Sequence, residues 1–335
     1  EMSQETKKVQ VDPFKFYKET LGNPQKILAP MVDGSDITFR RLVRRHGVEL
    51  CYTPMVQTKM FVESKKSRQE LLRMLDEKER PIIIQIVGSD ASDMRRSAAF
   101  LQKYCDAIDI NLGCPQKIAQ KGNYGAYLAQ DFNKTKEIVT AVVGAVDIPV
   151  YCKIRVFDDE KKTLEFVDML VGCGIKGLCV HGRTIDEKQS SQYHARWPII
   201  AKIKERCSIP VIANGGISTI ADMEKCKEET HADGFMVGMG LLLNPGMFEG
   251  NINNNVSLAY EYLEIAREMS STHEVTFSYV RGHLIKMLLY AIKGNNELLK
   301  EIGTARTLDD CEKWIERVES LTRKRPLTEV EKDNK

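Results

Sequence analysis

Three residues stand in settings where their side chains could do chemistry: Cys114 in the turn Gly113-Cys114-Pro115, Lys153 near the end of an apolar run, and His181 followed by Gly182 and Arg183. A cysteine thiol, with a reference pKa of about 8.5, is mostly protonated at pH 7 and can donate a proton. Nucleophilic chemistry of the papain kind would instead need a base that makes the thiolate, and His181 is the evident candidate. An ammonium such as that of Lys153 is costly among apolar residues unless it faces an anion, either a neighbouring carboxylate or a ligand such as a phosphate or an anionic reduced flavin. The imidazole of His181 and the guanidinium of Arg183 suit the same kind of ligand, with a hydrogen-bonded core histidine as the plain alternative. Two glycine-bearing turns, Asn214-Gly215-Gly216 and Gly238-Met239-Gly240, let backbone N–H groups approach a phosphate closely. The six histidines and nine cysteines lack H-E-x-x-H or C-x-x-C spacing, so no metal site is expected.

These residues need elements to bring them together. Apolar, β-branched-rich runs recur at 26–29, 50–53, 82–87, 107–110, 150–154, 177–180, 211–213 and 234–237. Between them lie stretches of helical periodicity, among them 37–46, 91–103, 134–143, 163–173, 198–206 and 220–228. This alternation predicts an α/β fold of the (β/α)₈ TIM-barrel type, whose usual size of about 250 residues ends near Phe248. A doubly wound sheet is the second choice. Nearly every run stops at a polar residue, Gly or Pro: Pro30 with Met31, Gln85, Asn111, Lys153, His181, Asn214 and Gly238. One such residue is usually a turn or a cap, but a barrel gathers all its strand ends around a single site. The loop after the fourth run, 111–131, is long enough to be a lid or a binding loop. Beyond Phe248 an Asn-rich stretch, 251–255, leads into amphipathic segments around 258–269, 279–292 and 310–321. The expected organisation is an extension over 1–25, a catalytic barrel over 26–250, a small helical domain over 256–325 and a disordered tail over 326–335.

Composition sets the outer limits. With 335 residues, 42% hydrophobic and 29% charged, the chain can hold one large core, and no apolar run reaches the length of a membrane span. The 49 basic and 47 acidic residues leave a net charge of +2, so affinity for nucleic acid must come from local clusters. Candidates are Arg40, Arg41, Arg44 and Arg45, which a helix would present as one face, then Lys59, Lys65, Lys66 and Arg68, Lys117 with Lys121, and the run 323–325. The polar segment 1–11 has no apolar core of a signal peptide, and the cysteines are unpaired in spacing. A cytoplasmic monomer is expected, with the nucleus as the alternative compartment.

Five blocks, in order, resemble the dihydrouridine synthase family: APMVDGSDITFRRLVRRHG (29–47), DINLGCPQKIAQKGNYGAYL (109–128), CKIRVF (152–157), VHGRT (180–184) and ANGGI (213–217). The second and third look most like the eukaryotic branch that acts on tRNA positions 16 and 17. The resemblance implies a flavoenzyme that uses NADPH or NADH to reduce the C5–C6 double bond of tRNA uridines through FMN. Carried onto this chain, Pro30, Met31 and Val32 would line the flavin ring, Gln85 and Lys153 would hold its polar edge, and His181 would flank it. Asn214, Gly215, Gly216, Gly238 and Met239 would hold the phosphate, while Asn111, Arg183 and Lys117 would contact the substrate. Cys114 would donate a proton to uracil C5 opposite the hydride delivered to C6. Many relatives carry Arg where Met239 stands, so weak retention of FMN is expected. The competing readings are an FMN-dependent reductase of a free pyrimidine, like dihydroorotate dehydrogenase, and a tRNA-binding protein without catalysis.

Overall fold

The computed structural model describes residues 11–187, 194–250, 255–273 and 275–323. Within them lie nine strands: β1 (Lys26–Leu28), β2 (Leu50–Tyr52), β3 (Val56–Gln57), β4 (Ile82–Val87), β5 (Ala107–Leu112), β6 (Val150–Arg155), β7 (Gly177–His181), β8 (Val211–Asn214) and β9 (Gly234–Val237). Every pairing is parallel, β1 joins both β2 and β9, and β2 joins β4, so eight strands close into a TIM barrel. Closure rules out the doubly wound alternative, which leaves two open edges. The two-residue β3, beside the last turn of β4, is too short to leave a periodic signal in the sequence.

Period-two alternation sorts each strand's side chains between two cores. On β6, Tyr151 joins the cluster inside the barrel, while Cys152 and Ile154 pack outward under the helices. The same parity puts Lys153 and Arg155 on the inner face above Tyr151. A methyl group on Gly177 would sit 2.2 Å from the Tyr151 ring, so glycine at that position makes room for the aromatic plug. The floor of the barrel is filled from the chain's early segment, where Phe16, Tyr17 and Leu21 are buried and the Tyr17 hydroxyl donates to the Pro24 carbonyl at 2.6 Å.

The return helices begin at side chains that cap their first free N–H groups. Asp36 starts Ile37–Arg45, Asp90 starts Ala91–Leu101, Asp131 starts Phe132–Ala145, Asp159 starts Glu160–Gly172 and Thr219 starts Ile220–Thr230. Each cap contributes roughly 1 kcal/mol to helix stability. Helices Thr58–Glu63 and Lys65–Arg73 occupy the stretch read from sequence only as a basic cluster.

Among the described residues beyond 250 the helices are Asn255–Ser270, Phe277–Met287, Leu289–Ile292, Asn296–Thr304 and Leu308–Arg323. Their apolar faces continue the outer core of the barrel, from Ala259 and Leu263 through Leu284 to Trp314. Several polar contacts fasten the two parts, among them Arg45 and His46 on Glu261; in the buried one, His283 Nε2 meets Asp36 Oδ2 at 2.5 Å, with the ring stacked 4.3 Å from Phe39. The stretch 251–254 and the tail 326–335 lie outside the described residues.

Candidate active site

The carboxyl ends of the strands open into a cavity of about 350 Å³, within the range of about 300–1,000 Å³ usual for small-molecule sites. One wall comes from Pro30, Met31 and Val32 in the loop after β1; Gln85, Asn111, Lys153 and His181 face them from β4 to β7. Cys114 and Met239 line it as well, and Lys286 reaches in from helix Phe277–Met287. Asn111, His181 and Asn214 lie on the strands, which run further than their apolar runs. Pairing continues because these residues point inward, matched as Asn111 with Lys153 and His181 with Asn214.

Positive charge is concentrated at one end. Lys153 Nζ donates to Asn214 Oδ1 at 2.8 Å, and among the described residues no carboxylate forms an ion pair with it. Burial draws its ammonium below the ordinary lysine range. Arg155, brought down to about 10 by burial and by neighbouring Arg183, donates to the carbonyls of Gly113 and Thr184 at 2.9 Å each. Burial first, then Lys153, Arg155 and Arg183, holds the His181 imidazole well below the ordinary histidine range. Arg183 Nη1 lies 3.1 Å from His181 Nε2. A guanidinium has no acceptor, so Nε2 accepts and the neutral ring carries its proton on Nδ1.

The turn after β8 shapes the adjoining cradle. Gly215 has φ +101°, and a methyl group there would lie 2.6 Å from the His181 ring. Gly216 follows at φ +76°, and the Trp197 indole N–H donates to the Gly215 carbonyl at 3.0 Å. Gly238 precedes the short helix Met239–Leu243 and packs against Met31, whose sulfur would be 3.3 Å from an added methyl.

Cys114 is held by backbone contacts. Asn111 Oδ1 accepts from the N–H groups of Gly113 and Cys114, both at 3.0 Å. Gly125, at φ +62°, lies so close beneath the turn that a methyl group would meet the Cys114 carbonyl oxygen at 2.8 Å. The far end of the long loop therefore buttresses the near end. Asn111, read from the resemblance as a substrate ligand, also donates through Nδ2 to Gln85 Oε1 at 2.9 Å. Its carboxamide is engaged within the protein and positions the Cys114 turn. Lys117, likewise read as a substrate contact, is exposed at the start of helix Lys117–Lys121 and stands outside the cavity wall.

Sequence reasoning gave Asp109, Arg155, Met55 and Lys286 no place in the site. Asp109 and Arg155 lie two residues from Asn111 and Lys153, so strand parity alone points them inward. Asp109 Oδ2 accepts from Gln85 Nε2 at 2.8 Å, its Oδ1 has no partner, and burial pushes its carboxyl up to about 7. For Lys286 no local signal exists, because a helix remote in sequence delivers it.

The arginine cluster expected as one exposed face is instead built into the fold. Arg40 is fully buried, with its guanidinium on Glu79 at 2.6 and 2.8 Å. Arg41 pairs with Asp76, and Arg45 reaches Glu261 and Glu268. Alternating ion pairs thus tie this helix to its neighbours and leave little charge for a ligand. Among the described residues there is no cluster of three metal-ligating side chains, and no helix is long and apolar enough to cross a membrane.

Comparison with known proteins gives the same direction. The sequence matches the dihydrouridine synthase (Dus) family over residues 27–331. A mouse protein named tRNA-dihydrouridine(16/17) synthase [NAD(P)(+)]-like is 39% identical over 88% of this chain, which spans 62% of that relative's length. A Schizosaccharomyces pombe tRNA-dihydrouridine(16/17) synthase [NAD(P)(+)] is 36% identical over 95% of this chain and 82% of its own. Among solved structures, an old yellow enzyme homologue from Zymomonas mobilis superposes with a TM-score of 0.50 at 13% identity, over 68% of this chain and 89% of that one, a likeness of fold alone. With matching sequence over nearly the whole barrel and the helices beyond it, the chain belongs to the dihydrouridine synthase family.

Proposed function

We propose that this protein is a tRNA-dihydrouridine synthase that holds FMN in the barrel mouth, takes electrons from NADPH or NADH, and reduces uridines at D-loop positions 16 and 17. The observation that carries the reading is a thiol and a group of cations lining one apolar-walled cavity of about 350 Å³. The names of the mouse and fission-yeast relatives support the substrate, the donor and the positions.

The residues fit a flavin. Pro30, Met31 and Val32 offer a flat apolar wall, and Lys153, hydrogen-bonded to the neutral Asn214, offers a cation to an electron-rich ring edge. Gly215 and Gly216 leave a cradle that side chains would fill, next to a guanidinium and a neutral imidazole. Met239, 54% exposed at the rim, adds no charge, so backbone groups hold the phosphate and FMN leaves readily during purification.

Bound FMN supplies the hydride that goes to uracil C6. Cys114 supplies the proton for C5 and regains one from solvent. Asn111 and Gly125 fix the turn that aims the thiol, and Arg155 straps that turn to the loop after β7. A stacked base cannot reach this depth, so the uridine leaves its stack to enter the mouth. Lys286 on one side and the exposed Lys59, Lys65, Lys66, Lys117 and Lys121 on the other receive the flanking phosphates. The protein works as a cytoplasmic monomer.

The test is anaerobic. FMN-loaded protein is reduced with NADPH, unmodified tRNA is added, and the return of the oxidised spectrum is followed. Prompt return, absent with tRNA already carrying dihydrouridine at 16 and 17, is expected. A reduced flavin that ignores tRNA but is oxidised by a free pyrimidine would overturn the assignment.

A further inference from the structure

A second cavity, of about 360 Å³, opens beside the first. Val32 and Met55 line both, and Val32 is 53% exposed, so the two chambers meet across a low apolar partition. The second chamber lies between the loop after β1, helices Thr58–Glu63 and Lys65–Arg73, and Tyr279 of the helical domain.

Its chemistry differs from that of the first. Arg40 is the only cation among the described lining residues, and its guanidinium is taken up by Glu79 and by the carbonyls of Ser35 and Met74. Asp33 and Glu70 add negative charge at the rim, which repels a phosphate or a dinucleotide cofactor. Met60 and Leu71 supply apolar surface, and the Tyr279 ring lines the chamber with its hydroxyl near Asp33. Gln57 accepts from the Met60 N–H at 2.9 Å, which leaves its carboxamide NH₂ to donate to a carbonyl. An apolar slot lined by the aromatic rings of Tyr279 and Phe61, with one amide donor and no free cation, suits a neutral heteroaromatic ring.

We infer that this second chamber receives the base of the nucleotide adjoining the target uridine, splayed across Val32 and Met55 while the target occupies the catalytic cavity. The inference rests on the tRNA reading above. A strand that delivers one unstacked base to the first chamber carries its neighbour one nucleotide away, at the partition. Holding that neighbour anchors the strand without touching the reacting atoms, and it sets which of two consecutive uridines is presented.

The experiment is a cycle between protein and RNA. Ser67→Phe fills the chamber from a position outside the catalytic cavity, and Met60→Ala, at a 59% exposed site, trims its wall. Each is assayed with intact tRNA and with tRNAs abasic on one or the other side of the target. In the wild-type enzyme one abasic substitution raises KM about tenfold, the range of a lost base–aromatic stack. Ser67→Phe raises KM to a similar degree with intact tRNA, the abasic change then costs nothing more, and Met60→Ala shows the same non-additivity at smaller size. Flavin reduction by NADPH is unchanged in both variants. Independent, multiplying losses, or no loss from either abasic tRNA, would overturn the second chamber while wild-type turnover of intact tRNA upholds the first. Absence of wild-type turnover on intact tRNA would overturn both.

Discussion

Asp109 sits one pleat below Asn111, and its carboxyl is bonded to Gln85, which is bonded to Asn111, which holds the backbone of Cys114. Burial raises its pKa to about 7, whereas an unfolded aspartate gives up its proton near 4. A group raised in this way contributes stability that is complete below the unfolded value and lost as pH climbs through the folded one. Asp109→Asn removes that dependence. Wild-type protein is expected to lose on the order of 4 kcal/mol relative to the variant between pH 4 and pH 8, measured by urea unfolding across that range. Parallel stability curves would show that another group titrates. At the rim, Cys114→Ala keeps flavin and tRNA binding and loses about 10²- to 10⁴-fold in the rate of dihydrouridine formation, followed by single-turnover assay. Turnover at the wild-type rate would exclude the thiol as proton donor. Lys153 and His181 stood out in the sequence as polar residues at the ends of apolar runs, and Cys114 by its Gly-Cys-Pro turn. Asp109 was not, because it lies inside such a run.

At the scale of elements, the long loop after β5 closes on itself. Its Gly-Asn-Tyr-Gly segment returns beneath the Cys114 turn, where Ala126 N–H donates to the Cys114 carbonyl at 3.1 Å. Gly125→Ala asks an L residue to hold φ +62° and to place a methyl group against the turn. Displacement of the turn by even an ångström is expected to lower kcat about 10²-fold with flavin content unchanged, read by steady-state assay on matched FMN-loaded samples. A kcat equal to that of wild type would mean that the loop's far end does not aim the thiol. The length of this loop was plain from the sequence. Its self-contact was not, because closing a turn on a residue eleven positions away follows no helix or strand period. Strand ends show the same limit: apolar runs stopped short of Asn111 and Asn214, yet hydrogen bonding to the next strand carries those residues within the ladder.

Across the whole molecule, Asp36 and His283 join the loop that bears Pro30, Met31 and Val32 to the helical domain that bears Lys286 and Tyr279. Burial works to raise the Asp36 carboxyl, but His283 and Arg40 hold it below the ordinary range. His283→Ala leaves that carboxylate buried beside an empty site. The expected cost is about 3 kcal/mol in urea denaturation, with KM for tRNA raised and NADPH reduction of bound flavin unchanged. Unaltered stability would show that the contact is not a fastening. The sequence by itself determined the (β/α)₈ alternation, the strand cores and the residues at their carboxyl ends, since period, capping and turn chemistry act over a few neighbouring positions. Tertiary structure alone decided that β2 closes on β4, that four arginines become ion pairs within the fold, and that two chambers share Val32 and Met55. The physical reason is separation along the chain: Asp36 and His283 lie 247 residues apart, and what pairs them is the packing of two finished elements, which no local pattern encodes.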